Sequence, residues 1–197
     1  AAPLVKVTIV PRGQSLGAAW YLPEERQITT TEQMLDEMCA TLGGRASEEL
    51  TFNKISTGAL NDLERVTKQA YAMISYFGMS DRIGNMSYYD SSGQTDYSFT
   101  KPYSELTAQT IDEEISNIIE SQYQRAINIL EKNKDKLIQL AEILVEKEVI
   151  FEGDLKKIFG DRPFDKEVSE EDGEKEAEIK DEKPVAEDPE IAEESSK

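Results

Sequence analysis

The chain is 197 residues long, enough for one domain with a full hydrophobic core and short for two. Its 40 acidic residues against 22 basic ones give a net charge of −18, and without a Lys/Arg cluster this argues against nucleic acid or an anionic membrane surface as a partner. Histidine is absent and cysteine occurs once, so neither His-based acid–base catalysis, nor a His-ligated metal, nor an internal disulfide can be built from this chain alone.

In Leu4–Val10 the apolar Val5, Val7 and Ile9 fall on one face and Lys6 and Thr8 on the other, the two-residue period of a half-buried strand. Pro11-Arg12-Gly13 turns the chain. A second extended piece, Gly17-Ala18-Ala19-Trp20-Tyr21-Leu22, stops at Pro23 and suits a short strand at a sheet edge. Such an edge can accept an extended peptide by strand addition, or it is a minor structural hairpin. Thr30 and Gln33 have capping-box spacing ahead of a helix whose apolar positions are Met34, Leu35, Met38, Cys39 and Leu42. On that face Cys39 reads as a small buried hydrophobe, and its solitary thiol fits a reducing compartment. Gly43-Gly44 is expected to end the helix, with Arg45–Leu50 continuing it or starting a short new one.

Ser56-Thr57-Gly58-Ala59-Leu60-Asn61-Asp62 is a small-residue turn leading into a helix over Asn61–Phe77, whose stripe is Leu63, Val66, Ala70, Met73, Ile74 and Phe77. Phe77-Gly78-Met79-Ser80 stops it, and residues 80–100, rich in Ser, Gly, Asp and Tyr, read as an irregular connection. Pro102 is expected to open a long helix to about Leu130 and Asn133 to break it. A partner over about Lys134–Lys147 then folds back as a long helical hairpin, and Ile150-Phe151 with a short helix Asp154–Phe159 closes the core. Residues 165–197 hold 15 acids against 5 lysines, so burial there cannot offset the entropy of ordering and disorder is expected. The fold class is mainly α, with a small β-hairpin or sheet near the N-terminus, one domain over 1–164 and an acidic tail over 165–197. No apolar run approaches the roughly 18–20 residues of a membrane helix, and a soluble chain is expected.

By local pattern Asn61 and Asp62 are helix-start residues facing the positive end of the helix, and Glu48 and Glu49 lie on a solvated helical face. No glycine-rich phosphate loop, Cys-x-x-Cys pair or Ser/His/Asp set is present.

Six blocks carry more than any local pattern. They are Val7-Thr8-Ile9-Val10-Pro11-Arg12-Gly13, Tyr21-Leu22-Pro23, Leu42-Gly43-Gly44-Arg45-Ala46-Ser47-Glu48-Glu49, Ser56-Thr57-Gly58-Ala59-Leu60-Asn61-Asp62-Leu63, Phe77-Gly78-Met79-Ser80 and Leu144-Val145-Glu146-Lys147-Glu148. In this order they resemble the peptidase domain of the FtsH family of membrane-anchored, ATP-dependent zinc metalloproteases, over about residues 4–164. The resemblance implies a helical zinc-peptidase domain. In that family an H-E-x-x-H helix supplies two zinc-binding histidines and a glutamate base, and an aspartate from a distant helix completes the metal site. Asp62 matches that aspartate. Three protein ligands leave a fourth position for a water whose pKa the zinc lowers and whose proton the glutamate takes. Glu48 matches a family acid near the zinc, implied to orient a histidine ligand. Gly17, Ala18, Ala19, Trp20 and Tyr21 resemble the edge strand that pairs with substrate backbone.

No H-E-x-x-H helix occurs in this sequence, so none of its own residues is expected to be catalytic. The chain is expected to be the C-terminal part of such a peptidase domain and inactive alone. For the intact protein the resemblance implies zinc in the peptidase site, ATP and magnesium in an upstream ATPase module, and an upstream membrane anchor. It further implies a homo-hexamer that takes unfolded or membrane protein substrates at the cytoplasmic face of the bacterial inner membrane. The alternative, favoured by the missing histidines, is a non-catalytic helical oligomerisation or interaction module derived from the protease.

Overall fold

A computed structural model of the chain describes residues 3–13, 16–22, 28–89 and 102–161. Pro23, residues 90–100 of the connection expected over 80–100, and the acidic stretch 165–197 lie outside the described residues. The chain separates into two units, Ala1–Ile158, which carries the sheet and the helical core, and Phe159–Lys197.

Among the described residues three short strands form the sheet, β1 (Leu4–Thr8), β2 (Ala18–Tyr21) and β3 (Val149–Phe151), in the order β2-β1-β3 with both pairs antiparallel. The third strand forms where the sequence suggested only a core-closing segment, and its Ile150 is wholly buried. The expected apolar face of the first strand is not the buried one. Val5 and Ile9 are each 40% exposed, whereas Thr8 is only 6% exposed. Thr8 can be inside because its hydroxyl is satisfied: Oγ1 donates to the Glu148 carbonyl at 3.0 Å and accepts from the Val10 N–H at 3.1 Å. A bulge between Leu4 and Lys6 also breaks the simple alternation.

Among the described residues the α-helices are α1 (Thr31–Phe52), α2 (Leu60–Ser75), α3 (Glu105–Lys132), α4 (Lys134–Lys147) and, after β3, α5 (Glu152–Phe159). The capping box is present, with the Thr30 hydroxyl accepting from Gln33 N–H and the Gln33 side chain accepting from Thr30 N–H. The helix does not stop at Gly43-Gly44. It runs through both glycines to a left-handed cap at Asn53, φ 51°. Leu42 and Ala46 are buried on either side of the pair, so the packed face continues and outweighs a glycine cost of about 1 kcal/mol per residue. Ser104, not Pro102, caps α3, its hydroxyl accepting from Thr107 N–H at 3.2 Å.

The core lies where α1, α2 and α3 pack. Met34, Met38 and Leu42 of α1 meet Val66, Ala70 and Met73 of α2, with Ile115, Ile118 and Tyr123 of α3 against them. Full burial of side chains such as Met38, Leu42, Val66 and Met73 is worth about 1.5–3 kcal/mol each. Cys39 is buried with Ala46 and Ala126, and desolvation pushes its thiol pKa up, the behaviour of a packing residue. Asn133 breaks the long helix as expected, its side chain donating to the Ile129 carbonyl. The following α4 contributes no buried residue, and its Val145 is 76% exposed, so the second arm of the hairpin adds little to the core.

Candidate functional site

The α1–α2 junction builds the site. Because α1 continues past its glycines, Gly44, Glu48 and Phe52 recur at four-residue intervals on one helical face. The chain then leaves α1 at Asn53 and enters a 3₁₀ turn, Thr57–Ala59, which runs directly into α2. Ser56 caps that turn, its hydroxyl accepting from Gly58 N–H at 3.3 Å. Between the two elements lies a cleft of about 370 Å³ whose walls include Gly44, Ser47, Glu48, Phe52, Ser56 and Asp62.

Glu48 and Asp62, which the sequence singled out, therefore face one cleft and behave differently in it. Glu48 reaches across, and its Oε2 accepts from the Ser56 N–H at 3.0 Å. Hydrogen bonds from the Ser56 hydroxyl and backbone, aided by the nearby Arg45 guanidinium, hold the Glu48 carboxyl below the usual carboxylate range. Asp62 sits in the first turn of α2, at the positive end of the helix dipole, exposed to the cleft. Among the described residues it has no hydrogen-bond or ion-pair partner, so both oxygens are open to an external ligand.

Other acids of α1 are paired. Tyr123 of α3 donates to Glu49, and desolvation together with that bond pushes the phenol up to about 12. Arg65 pairs with Glu37, and Arg125 pairs with Asp36 at 2.5 Å.

The residues present do not make up a metal centre. The sequence has no histidine, and among the described residues no three His, Cys, Asp or Glu side chains converge on a point that could hold an ion. Asp62 has the chemistry of one ligand of a larger set.

The expected edge strand is an edge strand. β2 bonds to β1 on one side, no described strand lies on the other, and Ala18, Ala19, Trp20 and Tyr21 are all exposed. Gly17 stands just before it in a structural role: a Cβ there would lie 2.6 Å from the Thr8 carbonyl oxygen. No described residue of this strand lines the Glu48–Asp62 cleft.

Phe52 and Ser47 escaped the reading of the sequence. The four-residue spacing from Gly44 would have found Phe52 once α1 was taken as continuous. A larger groove of about 700 Å³ beside α2 and α3, with Tyr71, Tyr76, Asp112, Ile115 and Ile119 in its wall, contains none of the residues singled out.

Comparison with known proteins gives one consistent answer. The model of peptidase family M41 matches residues 1–158. The chain is 66% identical over 164 residues to an ATP-dependent zinc metalloprotease FtsH of Parabacteroides distasonis, covering 83% of this chain and 24% of that protein. It is 62% identical over 153 residues to the protein of the same name from Karelsulcia muelleri, covering 78% and 25%. Against the mitochondrial ATP-dependent zinc metalloprotease FTSH 3 of Arabidopsis thaliana the identity is 48% over 165 residues, covering 83% and 20%. The chain thus spans about a quarter of the length of the first two relatives.

Proposed function

This chain belongs to peptidase family M41, and from that premise we propose that it is the C-terminal part of the peptidase domain of an ATP-dependent zinc metalloendopeptidase. The observation that carries the proposal is the cleft in which Asp62, without a partner among the described residues, stands at the start of α2 while Glu48 fixes the turn that delivers it. Asp62 serves as one zinc ligand, and the other ligands and the catalytic base come from parts of the protein outside these 197 residues, because this sequence has no histidine. The hydrolytic step belongs to those groups, and no residue of this chain performs it.

The chain's own residues position and receive. Glu48 holds Ser56, which caps the turn, so the approach of Asp62 is set by α1, the longest packed partner of α3. β2, through Ala18, Ala19, Trp20 and Tyr21, offers an extended substrate a backbone edge that no described strand pairs, the register-fixing contact such a protease needs. ATP and magnesium binding and membrane attachment fall in this proposal to a separate module; no described helix is long and apolar enough to cross a bilayer. The working form in this proposal is a homo-hexamer at the cytoplasmic face of the bacterial inner membrane, acting on unfolded or membrane proteins.

Casein hydrolysis separates the possibilities. The intact protein, supplied with ATP, magnesium and zinc, degrades casein and is silenced by a chelator, while the purified 197-residue chain with zinc is inert. Hydrolysis by the short chain overturns the assignment of the chemistry to other parts. An inert intact protein favours the second reading, a non-catalytic helical module, whose support is the absent histidines.

A further inference from the structure

The sheet carries an exposed row that crosses all three strands. Lys6 of β1 lies directly opposite Trp20 of β2 on one side and Phe151 of β3 on the other, so the three side chains share a face. The Lys6 Nζ stands 4.9 Å from the centroid of the Trp20 ring and 5.8 Å from that of Phe151. Neither aromatic is covered: Trp20 is 41% and Phe151 56% exposed. A cation held over the indole of an edge strand is a recognition feature placed where the next strand would add.

We propose that Trp20 and Lys6 form a side-chain subsite of the β2 edge, which selects, in an extended polypeptide added to that edge, an aromatic or acidic residue over a basic one. The inference rests on the reading of β2 as the substrate-accepting strand and adds to it a chemical preference. The geometry follows from strand addition. Directly opposed residues on neighbouring strands place their Cβ atoms about 4.5–5.5 Å apart on a common face, so the guest residue opposite Trp20 lies against the indole. An aromatic guest gains an offset or edge-to-face contact with that ring. A glutamate extends across the ring toward the Lys6 ammonium, one strand further in. A lysine or arginine meets the same ammonium, which already occupies the indole.

Trp20 is the only tryptophan in the chain, so its emission reports on this subsite alone. The 197-residue chain is titrated with short peptides that alternate threonine with glutamate, phenylalanine or lysine, while amide exchange of Ala18–Tyr21 reports strand pairing independently of side-chain chemistry. The expected result is protection of β2 amides by all three peptides, with the glutamate and phenylalanine peptides shifting Trp20 emission at concentrations roughly three- to fivefold lower than the lysine peptide, the size of a cross-strand side-chain contact. In Lys6→Glu the order of the glutamate and lysine peptides reverses. Equal protection with equal emission titrations, or an order that Lys6→Glu leaves unchanged, overturns the subsite and leaves strand addition standing. Absence of β2 protection with every peptide overturns the reading of β2 itself.

Discussion

The Glu48 carboxylate accepts a hydrogen bond from the Ser56 backbone N–H at 3.0 Å, and this contact ties the C-terminal end of α1 to the turn that launches α2 and its Asp62. One half-buried residue on a long helix thereby fixes where a second helix begins. The Ser56 hydroxyl extends the tie by capping Gly58.

That bond has a pH signature. Because the folded-state pKa of Glu48 lies below its ordinary value, its contribution is complete above the ordinary carboxylate pKa and is lost as pH falls through the lowered folded value. The amide resonance of Ser56 should move on acidification with a midpoint below the usual carboxylate range. In Glu48→Gln, which keeps an acceptor oxygen but not the charge, that transition should vanish. A Ser56 resonance insensitive to acid in the wild-type chain would remove the tie from the account.

The α1–α2–α3 core should dominate stability. Met38 is fully buried against α2, and Met38→Ala should lower the free energy of unfolding by about 2–5 kcal/mol in urea denaturation. Val145 on α4 is 76% exposed, and Val145→Ala should stay within about 0.5 kcal/mol of wild type. Similar costs at the two positions would mean that α4 packs more tightly than it does here.

Two glycines should respond in opposite directions to the same substitution. A methyl group at Gly17 would meet the Thr8 carbonyl oxygen at 2.6 Å, a backbone atom that cannot swing aside, so Gly17→Ala should cost about 1–3 kcal/mol and loosen the β1–β2 pair. At Gly43, inside α1, the same methyl meets nothing within 4 Å, and Gly43→Ala should stabilise by about 0.5–1 kcal/mol. Thermal melts of the two variants check both signs.

The contrast between those glycines also shows what was legible in the sequence. Helical stripes, the Thr30–Gln33 capping box and the Asn133 break could be read directly, because each depends on neighbours within one or two turns. Gly43-Gly44 misled, since local propensity favours a stop there while tertiary burial of Leu42 and Ala46 carries the helix on. The same continuation hid Phe52 as a wall of the cleft. Thr8 and β3 were missed for a related reason: the buried hydroxyl and the third strand are satisfied by Glu148 and β1, about 140 residues apart in sequence, which no short pattern records. Asp62 is a special case. Local pattern offered only a helix-start residue, the family resemblance implied its role, and the structure adds that it has no partner among the described residues and shares a cleft with Glu48.

The central claim is that Asp62 is a zinc ligand contributed by this chain to a larger site, and Asp62→Asn in the intact protein tests it most directly. The substitution keeps size and helix-start geometry while removing the charge a ligand must carry. Zinc content, measured by elemental analysis alongside circular dichroism, should fall well below one ion per chain with the helical signal unchanged, and casein hydrolysis should be lost with it. A variant that folds, retains a full complement of zinc and still degrades casein would contradict the claim.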